Sequence, residues 1–231
     1  MIAEHRTQDR GNRIAPKRSS RIYCSLVLLL DRLTYLVESD LLPAGESLLD
    51  LGCGNKPYES LFKKKFATYV GADLAGNEDA ELVIGPDGRV NAQDNTFDCV
   101  LSSQVLEHVT DPQLYLSEAR RVLKPDGSLV LSTHGIWPYH PDPTDFWRWT
   151  VDGLQAEIRR AGFEIANVQG VMGLETAALQ LWQDSTFDRL PSLIRLPYAW
   201  FFQTCIHLIE RRRKARLCDD AMIFVILARK R

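Results

Sequence analysis

A strand, a glycine turn and the start of a helix follow one another within residues 48–58 (LLDLGCGNKPY), and this segment constrains the fold most. Glycine leaves room for the backbone N–H groups to approach a ligand closely, which a Cβ would prevent. A second predicted strand over 68–73 also ends in an acidic residue, Asp73. A glycine turn between two acidic strand ends predicts a nucleoside-binding site.

The glycine turn departs from the G-x-G-x-x-G pattern of dinucleotide sites, because Pro57 stands at the third glycine position. Asp50 would also repel a pyrophosphate, whereas its carboxylate would attract the sulfonium and ammonium groups of S-adenosylmethionine. Asp73 is placed to accept hydrogen bonds from ribose hydroxyls. The alternative is an ordinary strand-turn-helix with incidental acids, and the two glycines alone would favour it.

Alternating strands and helices predict a parallel sheet with helices on both faces, which binds ligands at the carboxyl ends of its strands. The predicted strands are 47–51, 68–73, 81–84, 97–101, 128–133, 163–169 and 221–228. Three of the predicted helices are 20–42, 111–123 and 151–161. Another follows the glycine turn, with Pro57 in its first turn and 63–65 near its end. A turn is predicted over 124–127.

Three blocks resemble the class I S-adenosylmethionine-dependent methyltransferases, in particular the small, type 11-like bacterial enzymes that include quinone-biosynthesis methyltransferases. These blocks are 50–54 (DLGCG), 71–73 (GAD) and 97–129, which contains LSSQVLEHV. The resemblance covers roughly 45–170 and the last strand. It implies a Rossmann-like, seven-stranded, mostly parallel sheet with an antiparallel last strand beside strand six. Lys56 departs from many relatives, which carry a third glycine there.

The resemblance also implies S-adenosyl-L-methionine as the cofactor, with an acid after strand three receiving the adenine amino group. Asp87 fits that position, although a simple Pro-Asp-Gly turn would explain it equally well. In relatives Glu107 and His108 mostly support the fold, so we predict a structural role for His108. The predicted cofactor-binding residues are Asp50, Gly52, Cys53, Gly54, Asp73, Leu74, Asp87, Gly88, Ser103 and Gln104.

The loop 134–150 is rich in proline, aromatic residues and histidine, a composition typical of a substrate lid at the mouth of a site. Similar H-x-x-P-x-D-x-x-R-x-T stretches occur in methyltransferases that look associated with cell-surface sugars and lipids. An oxygen acceptor must lose a proton, and a histidine can accept it. His140, oriented by Asp145, is the first candidate base and His134 the second; loop packing or an Asp145–Arg148 ion pair is the alternative.

A helical insertion is predicted over about 172–216, with one helix at 173–187 and a second at 191–214 that is interrupted at Pro197. The apolar, aromatic stretch 197–209 precedes a basic cluster, 211–216, and is too short to span a bilayer. It suits an interfacial helix on anionic lipid. A helical cap over the acceptor pocket or a homodimer face is the alternative.

Length, charge and cysteine content limit the domain organisation, the partners and the location that the sequence allows. The chain has 231 residues, predicted as a disordered basic tail over 1–20 and a single domain over 21–231. Its 28 basic and 30 acidic residues give no nucleic-acid signal. Its five cysteines form no C-x-x-C pair, so we predict neither a metal site nor a disulfide framework, and a cytoplasmic location.

These observations predict an S-adenosylmethionine-dependent methyltransferase that acts on a small molecule, a sugar or a lipid-linked intermediate, through O-methylation. A non-catalytic cofactor-binding partner subunit is the first alternative. A nucleic-acid methyltransferase is the second, and the balanced charge weakens it.

Overall fold

The computed structural model describes residues 13–212 and 219–231 and contains a seven-stranded sheet in the order β3-β2-β1-β4-β5-β7-β6. The strands are β1 (Gly45–Leu51), β2 (Phe66–Leu74), β3 (Leu82–Ile84), β4 (Phe97–Ser103), β5 (Leu123–His134), β6 (Phe163–Gly173) and β7 (Ala221–Lys230). Strands β1 to β5 pair in parallel, and β7 lies antiparallel between β5 and β6. The predicted Rossmann-like architecture with an antiparallel last strand is confirmed.

Within the described residues, six α-helices flank this sheet: α1 (Tyr23–Glu38), α2 (Glu59–Phe62), α3 (Pro112–Val122), α4 (Val151–Arg160), α5 (Leu174–Phe187) and α6 (Ser192–Arg212). Two of them begin at side-chain caps that satisfy free N–H groups of the first turn. Asp111 accepts hydrogen bonds from the backbone N–H groups of Gln113 and Leu114, and Thr150 accepts one from Gly153. A short 3₁₀ helix, Leu106–His108, follows β4.

Alternating side chains of the central strands supply one apolar cluster on each face of the sheet. On β1, Leu48 joins the cluster shared with α1, α5 and α6, whereas Leu49 and Leu51 join the cluster shared with α3 and α4. The intervening Asp50 is nearly buried. The fold therefore carries this carboxylate at the carboxyl end of a central strand with little access to bulk water.

Several predicted bounds differ from the structure: α1 ends at Glu38 rather than at residue 42, and β6 extends to Gly173 rather than residue 169. Helix α2 is a single turn, because the chain tightens into bonds between residues three apart, from Lys64 N–H to Leu61 O and from Lys65 N–H to Phe62 O. Strand β5 begins at Leu123 rather than residue 128, since a register shift against β4 absorbs the predicted turn.

Helix α6 is continuous through Pro197. Proline removes one N–H donor, which leaves the carbonyl of Leu193 without its helical partner. Leu193 is 88% exposed, so water can satisfy that carbonyl and the helix need not break there.

Two predicted segments fall partly outside the described residues, namely residues 1–12 of the basic tail and 213–216 of the basic cluster. Within the described part of the tail, a bond of 2.9 Å from Ser20 N–H to Lys17 O closes a turn. Among the described helices, none combines the length and the apolar character needed to cross a bilayer.

Candidate active site

The glycine turn after β1 adopts a backbone that only small residues tolerate well. Gly52 and Gly54 have φ angles of 82° and 52°, and Lys56 takes the same left-handed region at 51°. A Cβ on Gly52 would lie 2.6 Å from Cγ2 of Val105. The N–H groups of Gly52 and Cys53 both donate to the carbonyl of Ala72, at 2.8 and 3.1 Å. Lys56 thus replaces the third glycine and keeps the left-handed backbone conformation at that position.

Asp50 lies beneath this turn, and the phenol of Tyr69 donates a hydrogen bond of 2.5 Å to its Oδ2. Burial raises the pKa of Asp50 to about 7, and the hydrogen bond from Tyr69 only partly opposes this rise. The carboxyl group is therefore close to half protonated at neutral pH. A cationic ligand group would favour its ionised form.

Asp73 connects the end of β2 to the glycine turn. Its Oδ2 accepts hydrogen bonds from Gly54 N–H at 2.8 Å and from the Asn77 amide at 2.7 Å, while its Oδ1 accepts one from Leu74 N–H at 2.7 Å. The Asn77 amide also donates to Gly54 O, at 2.8 Å. Asn77 was not predicted from the sequence. The one indication was the presence of an amide side chain four residues after the strand-end acid, Asp73.

The other predicted cofactor residues lie on the same carboxyl edge. Gln104, with a φ of 60°, donates from its backbone N–H to Ser132 O at 2.9 Å, and the hydroxyls of Ser103 and Ser132 are 3.0 Å apart. Asp87 lies in the exposed turn after β3, where its Oδ1 accepts from Arg89 N–H at 3.1 Å. Gly88 has a φ of 77° in that turn.

These features fit S-adenosylmethionine. A buried carboxylate, Asp50, suits a cationic ligand, and a half-buried strand-end carboxylate, Asp73, suits ribose hydroxyls. Leu74, 58% exposed directly after Asp73, offers an apolar surface to a base. None of these contacts requires a phosphate or a metal ion.

The ends of β4 and β5 carry a buried carboxylate–histidine pair. Nδ1 of His134 lies 2.9 Å from Oε1 of Glu107, and the Thr133 hydroxyl donates to Oε2 of Glu107 at 2.8 Å. Burial alone would raise the pKa of Glu107, but the positive charge of His134 and these hydrogen bonds hold it at about 2. The sequence did not predict this contact, because the two residues are 27 positions apart. They come together only because β4 and β5 are neighbours in the sheet.

His140 forms a second carboxylate–histidine pair within the substrate loop. Nδ1 of His140 lies 3.2 Å from Oδ2 of Asp145, and the backbone N–H of His140 donates to the same oxygen at 2.8 Å. The guanidinium of Arg148 donates to both oxygens of Asp145. Both predicted contacts of Asp145 are therefore present together.

Burial lowers the pKa of His140 to about 4, assisted by the charge of His134 and opposed by Asp145. Burial would raise the pKa of Asp145, but the hydrogen bonds from Arg148 and His140 lower it to about 2. At neutral pH, His140 is therefore neutral and Asp145 is ionised.

Three histidine rings meet at this point. The ring of His140 lies edge-on to those of His134 and His108, with centroid distances of 4.7 and 4.9 Å. His134 stacks on Trp137 at 4.4 Å. Nδ1 of His108 lies 2.5 Å from Thr144 O, so His108 supports the substrate loop, in line with the structural role predicted for it.

Two sets of three side chains at this point are close enough to hold a cation: Glu107, His134 and His140, and His108, His140 and Asp145. Within these sets, Oε1 of Glu107 lies 2.9 Å from Nδ1 of His134, and Asp145 forms an ion pair with Arg148.

A parallel sheet with a glycine turn, a buried acid beneath it and a second acid at the next strand end defines a class I S-adenosylmethionine-dependent methyltransferase. The chain belongs to the methyltransferase domain family, which matches residues 17–220. The resemblance inferred from the sequence is thereby confirmed.

Curated relatives agree with this assignment. A ubiquinone biosynthesis O-methyltransferase from Cereibacter sphaeroides is 32% identical over 158 residues, which cover 55% of this chain and 64% of that protein. The protein of the same name from Xanthomonas axonopodis pv. citri is 34% identical over 172 residues, covering 61% of this chain and 72% of that protein. This chain thus spans less than two thirds of the length of the first of these relatives.

The fold is similar to that of solved methyltransferases. An S-adenosylmethionine-dependent methyltransferase from Mesorhizobium loti superposes with a TM-score of 0.57 at 17% identity, covering 88% of this chain and 98% of that one. At this identity the likeness concerns the fold alone.

Proposed function

We propose that this chain is an S-adenosylmethionine-dependent methyltransferase that methylates an oxygen atom of a small molecule, a sugar or a lipid-linked intermediate. The observation that carries the proposal is the shared strand edge, where Asp50 and Asp73 adjoin the glycine turn and the His140–Asp145 pair follows β5. The O-methyltransferase names of the curated relatives support oxygen as the acceptor atom.

When bound, S-adenosylmethionine supplies a methyl group on a sulfonium, which is activated for direct displacement. Asp50 then balances positive charge in a site that excludes most water. Asp73 would hold the ribose hydroxyls in exchange for part of its present hydrogen bonding. Leu74 would pack against the adenine, and Asp87 would accept a hydrogen bond from the adenine amino group.

His140 removes the proton from the acceptor hydroxyl. Its Nδ1 lies 3.2 Å from Oδ2 of Asp145 and 3.3 Å from the carbonyl of Pro138, which are both acceptors, and 3.4 Å from Nη2 of Arg148, a donor. Because this Nη2 already donates to both acceptors, we place the ring proton on Nδ1. Nε2 consequently carries a lone pair. A pKa of about 4 keeps this lone pair available at neutral pH but makes it a weak base. His140 would therefore take the proton while the oxygen–methyl bond forms and the sulfur–methyl bond breaks, with S-adenosylhomocysteine as the leaving group, and not before.

Asp145 acts as a positioning residue for His140, and Arg148 fixes Asp145 through both carboxylate oxygens. His134 is the weaker candidate base. Its Nδ1 faces Glu107, and the side chain is almost inaccessible to solvent. Its main role is electrostatic, because it lowers the pKa of the neighbouring His140.

The same loop shields the reaction from water. Tyr139 is 68% exposed, and Phe146 and Trp147 are also exposed, so three large rings of this loop lie at the surface where they would cover an acceptor. The Trp147 indole N–H donates to Val109 O at 2.8 Å and anchors this side of the loop to the segment after β4.

A cytoplasmic location fits the thiols of the described residues. Cys24, Cys53 and Cys99 are free and buried, and burial raises the pKa of Cys24 and of Cys53 to about 12. Such thiols are unreactive and persist in a reducing compartment.

Labelled methyl transfer tests the proposal against a non-catalytic partner subunit and a nucleic-acid methyltransferase. The protein is incubated with methyl-labelled S-adenosylmethionine and a cell extract, which is then separated into lipid, glycan, small-molecule and nucleic-acid fractions. We expect label in one of the first three fractions, and its loss with His140→Ala at unchanged cofactor affinity. Cofactor binding without any transfer would assign the partner-subunit role, and label confined to nucleic acid would assign the third function.

His207→Ala is the matched control, because His207 is an exposed histidine of α6 outside the substrate loop. If both variants transfer label at the wild-type rate, His140 is not the base.

A further inference from the structure

Helix α6 presents an apolar stripe to solvent along most of its length. With 3.6 residues per turn, positions 193, 196–197, 200–201, 204 and 208 recur on one side of the helix. The exposed fractions of Leu193, Trp200 and Phe201 are 88%, 57% and 58%, and Leu196 and Leu208 are also exposed. A monomeric protein rarely leaves so many large apolar side chains side by side in water.

The opposite side of α6 is fixed to the protein body. Phe202, Gln203 and Ile206 are buried there. Oε1 of Gln203 accepts from Cys24 N–H at 2.8 Å, and Nε2 of Gln203 donates to Oε1 of Gln180 and Oε1 of Gln183 at 2.9 and 3.0 Å. The stripe is therefore held in place, and its exposure does not reflect a loosely attached helix.

The exposed charges of α6 are all positive. Its one acidic residue, Glu210, is buried and accepts hydrogen bonds from the Thr176 hydroxyl at 2.5 Å and from Gly173 N–H at 3.2 Å. Arg211 and Arg212 are exposed at the carboxyl end, and the sequence continues with more basic residues. An apolar stripe ending in arginines complements a surface that is apolar below a layer of negative charge.

A second copy of this chain fits the stripe less well. In a symmetric antiparallel pair, Arg211 and Arg212 would face the amino end of the partner helix, where Arg189 and Arg195 outnumber the exposed Asp188. In a symmetric parallel pair, the arginines at the carboxyl end would face their own copies. Both arrangements bring like charges together.

We propose that the α6 stripe docks this protein onto an anionic lipid bilayer. The helix lies in the plane of the interface, Trp200 and Phe201 insert beside the headgroups, and Arg211 and Arg212 contact lipid phosphates. Binding requires neither the cofactor nor turnover, so the proposal stands independently of methyl transfer. It also gives the protein direct access to a lipid-linked acceptor.

Vesicle co-sedimentation of the full chain at low salt tests this surface, with phosphatidylglycerol vesicles compared to phosphatidylcholine vesicles. The double variant Leu193→Glu, Trp200→Glu removes two stripe side chains and changes the net charge by −2, one negative charge for each substitution. The control is Ala156→Glu, Arg159→Ala, which changes the net charge equally on α4, a helix of the opposite sheet face.

We expect the wild type to sediment with phosphatidylglycerol vesicles, less with phosphatidylcholine, and less at high salt. The stripe variant should lose at least about tenfold in partitioning, because two large side chains no longer insert. The control should stay within about twofold of the wild type, because its added charges lie away from the bilayer. A thermal shift with S-adenosylhomocysteine verifies that each variant is folded; should the stripe variant fail to fold, Leu193→Gln, Trp200→Gln replaces it.

Absence of wild-type binding to phosphatidylglycerol vesicles would overturn the proposal, as would equal binding by the stripe variant. A wild-type dimer in sedimentation velocity that the stripe variant dissociates, together with no vesicle binding, would assign the stripe to a second copy.

Discussion

The Tyr69 hydroxyl donates a 2.5 Å hydrogen bond to Oδ2 of Asp50, the acid beneath the glycine turn. This is the only polar side-chain contact of Asp50 recorded within the described residues, and burial outweighs it, so the carboxyl pKa is raised to about 7. In the absence of a ligand Asp50 is thus poised between two protonation states. A ligand that brings positive charge to it would release its proton.

Cofactor affinity should therefore depend on pH. Because the cationic ligand favours ionised Asp50, affinity should rise with pH up to about 7 and level off above it, approaching tenfold per pH unit well below that value. Isothermal titration with S-adenosylmethionine between about pH 5 and 8 measures this. Asp50→Asn should bind more weakly at pH 8 and lose this dependence; a slope that persists in the variant would assign it to another group.

Asp73→Ala should weaken cofactor binding by about ten- to a hundredfold. The substitution removes charge-assisted hydrogen bonds to the ribose and the contact that ties Asp73 to Gly54. Equilibrium dialysis with labelled cofactor gives the dissociation constant. The exposed neighbour Asp79 provides the control, since Asp79→Ala removes a carboxylate that faces solvent. Equal losses in the two variants would contradict a ribose contact by Asp73.

The pH dependence of turnover should reveal the environment of His140. Burial lowers its pKa to about 4 from the ordinary 6.5, so the ring stays neutral as pH falls through 6.5. Turnover at saturating cofactor should remain nearly constant between about pH 7 and 5, whereas an unperturbed histidine base would lose half its activity near pH 6.5. An inflection near 6.5 that disappears in His140→Ala would contradict a lowered pKa.

Replacing Glu107 by glutamine should lower the free energy of unfolding at neutral pH by about 1–3 kcal/mol, because the buried charge beside His134 is lost. Burial would raise the pKa of Glu107, but its partners hold it near 2, below the ordinary 4.5. Its stabilisation is therefore present above pH 4.5 and lost as pH falls towards 2.

Urea denaturation at several pH values measures both effects, and the difference between wild type and variant should narrow below pH 4.5. Glu59→Gln, which breaks the exposed Glu59–Lys63 pair, should cost less than about 1 kcal/mol. Equal stability of wild type and Glu107→Gln at neutral pH would show that the pair contributes nothing.

Chelators should leave methyl transfer unchanged. Oε1 of Glu107 is in contact with His134 and Asp145 forms an ion pair with Arg148, so both carboxylates have partners within the protein. Activity after dialysis against EDTA, with and without added Mg²⁺ or Zn²⁺, measures this. A loss that one of these ions restores would assign the histidine cluster to a metal ion.

Local signals predicted most of the sheet and the cofactor edge. Hydrophobic runs punctuated by Gly and Asp place β1 and β2 within two residues of their observed bounds, and Asp111 and Thr150 cap their helices as their residue types suggest. These features depend on neighbours along the chain, which the sequence displays directly.

Contacts that depend on the tertiary structure could not be predicted from the sequence. The Glu107–His134 contact joins two strand ends, and the one-turn α2 ends where Lys64 and Lys65 bond to carbonyls three residues earlier. The sequence did suggest both partners for Asp145, but as alternatives. In the structure, the Asp145 carboxylate contacts His140 and Arg148 at the same time. The spacing of these residues in the sequence allows either contact and does not show that both form.

Calorimetric titration of the protein with S-adenosylhomocysteine and, separately, with NAD tests the cofactor site most directly, because it needs no acceptor. Asp50 beneath the glycine turn and Asp73 at the next strand end predict saturable binding of S-adenosylhomocysteine, weakened in Asp73→Ala, and no heat with NAD. No binding of S-adenosylhomocysteine at concentrations well above micromolar, or tighter binding of NAD, would contradict the account.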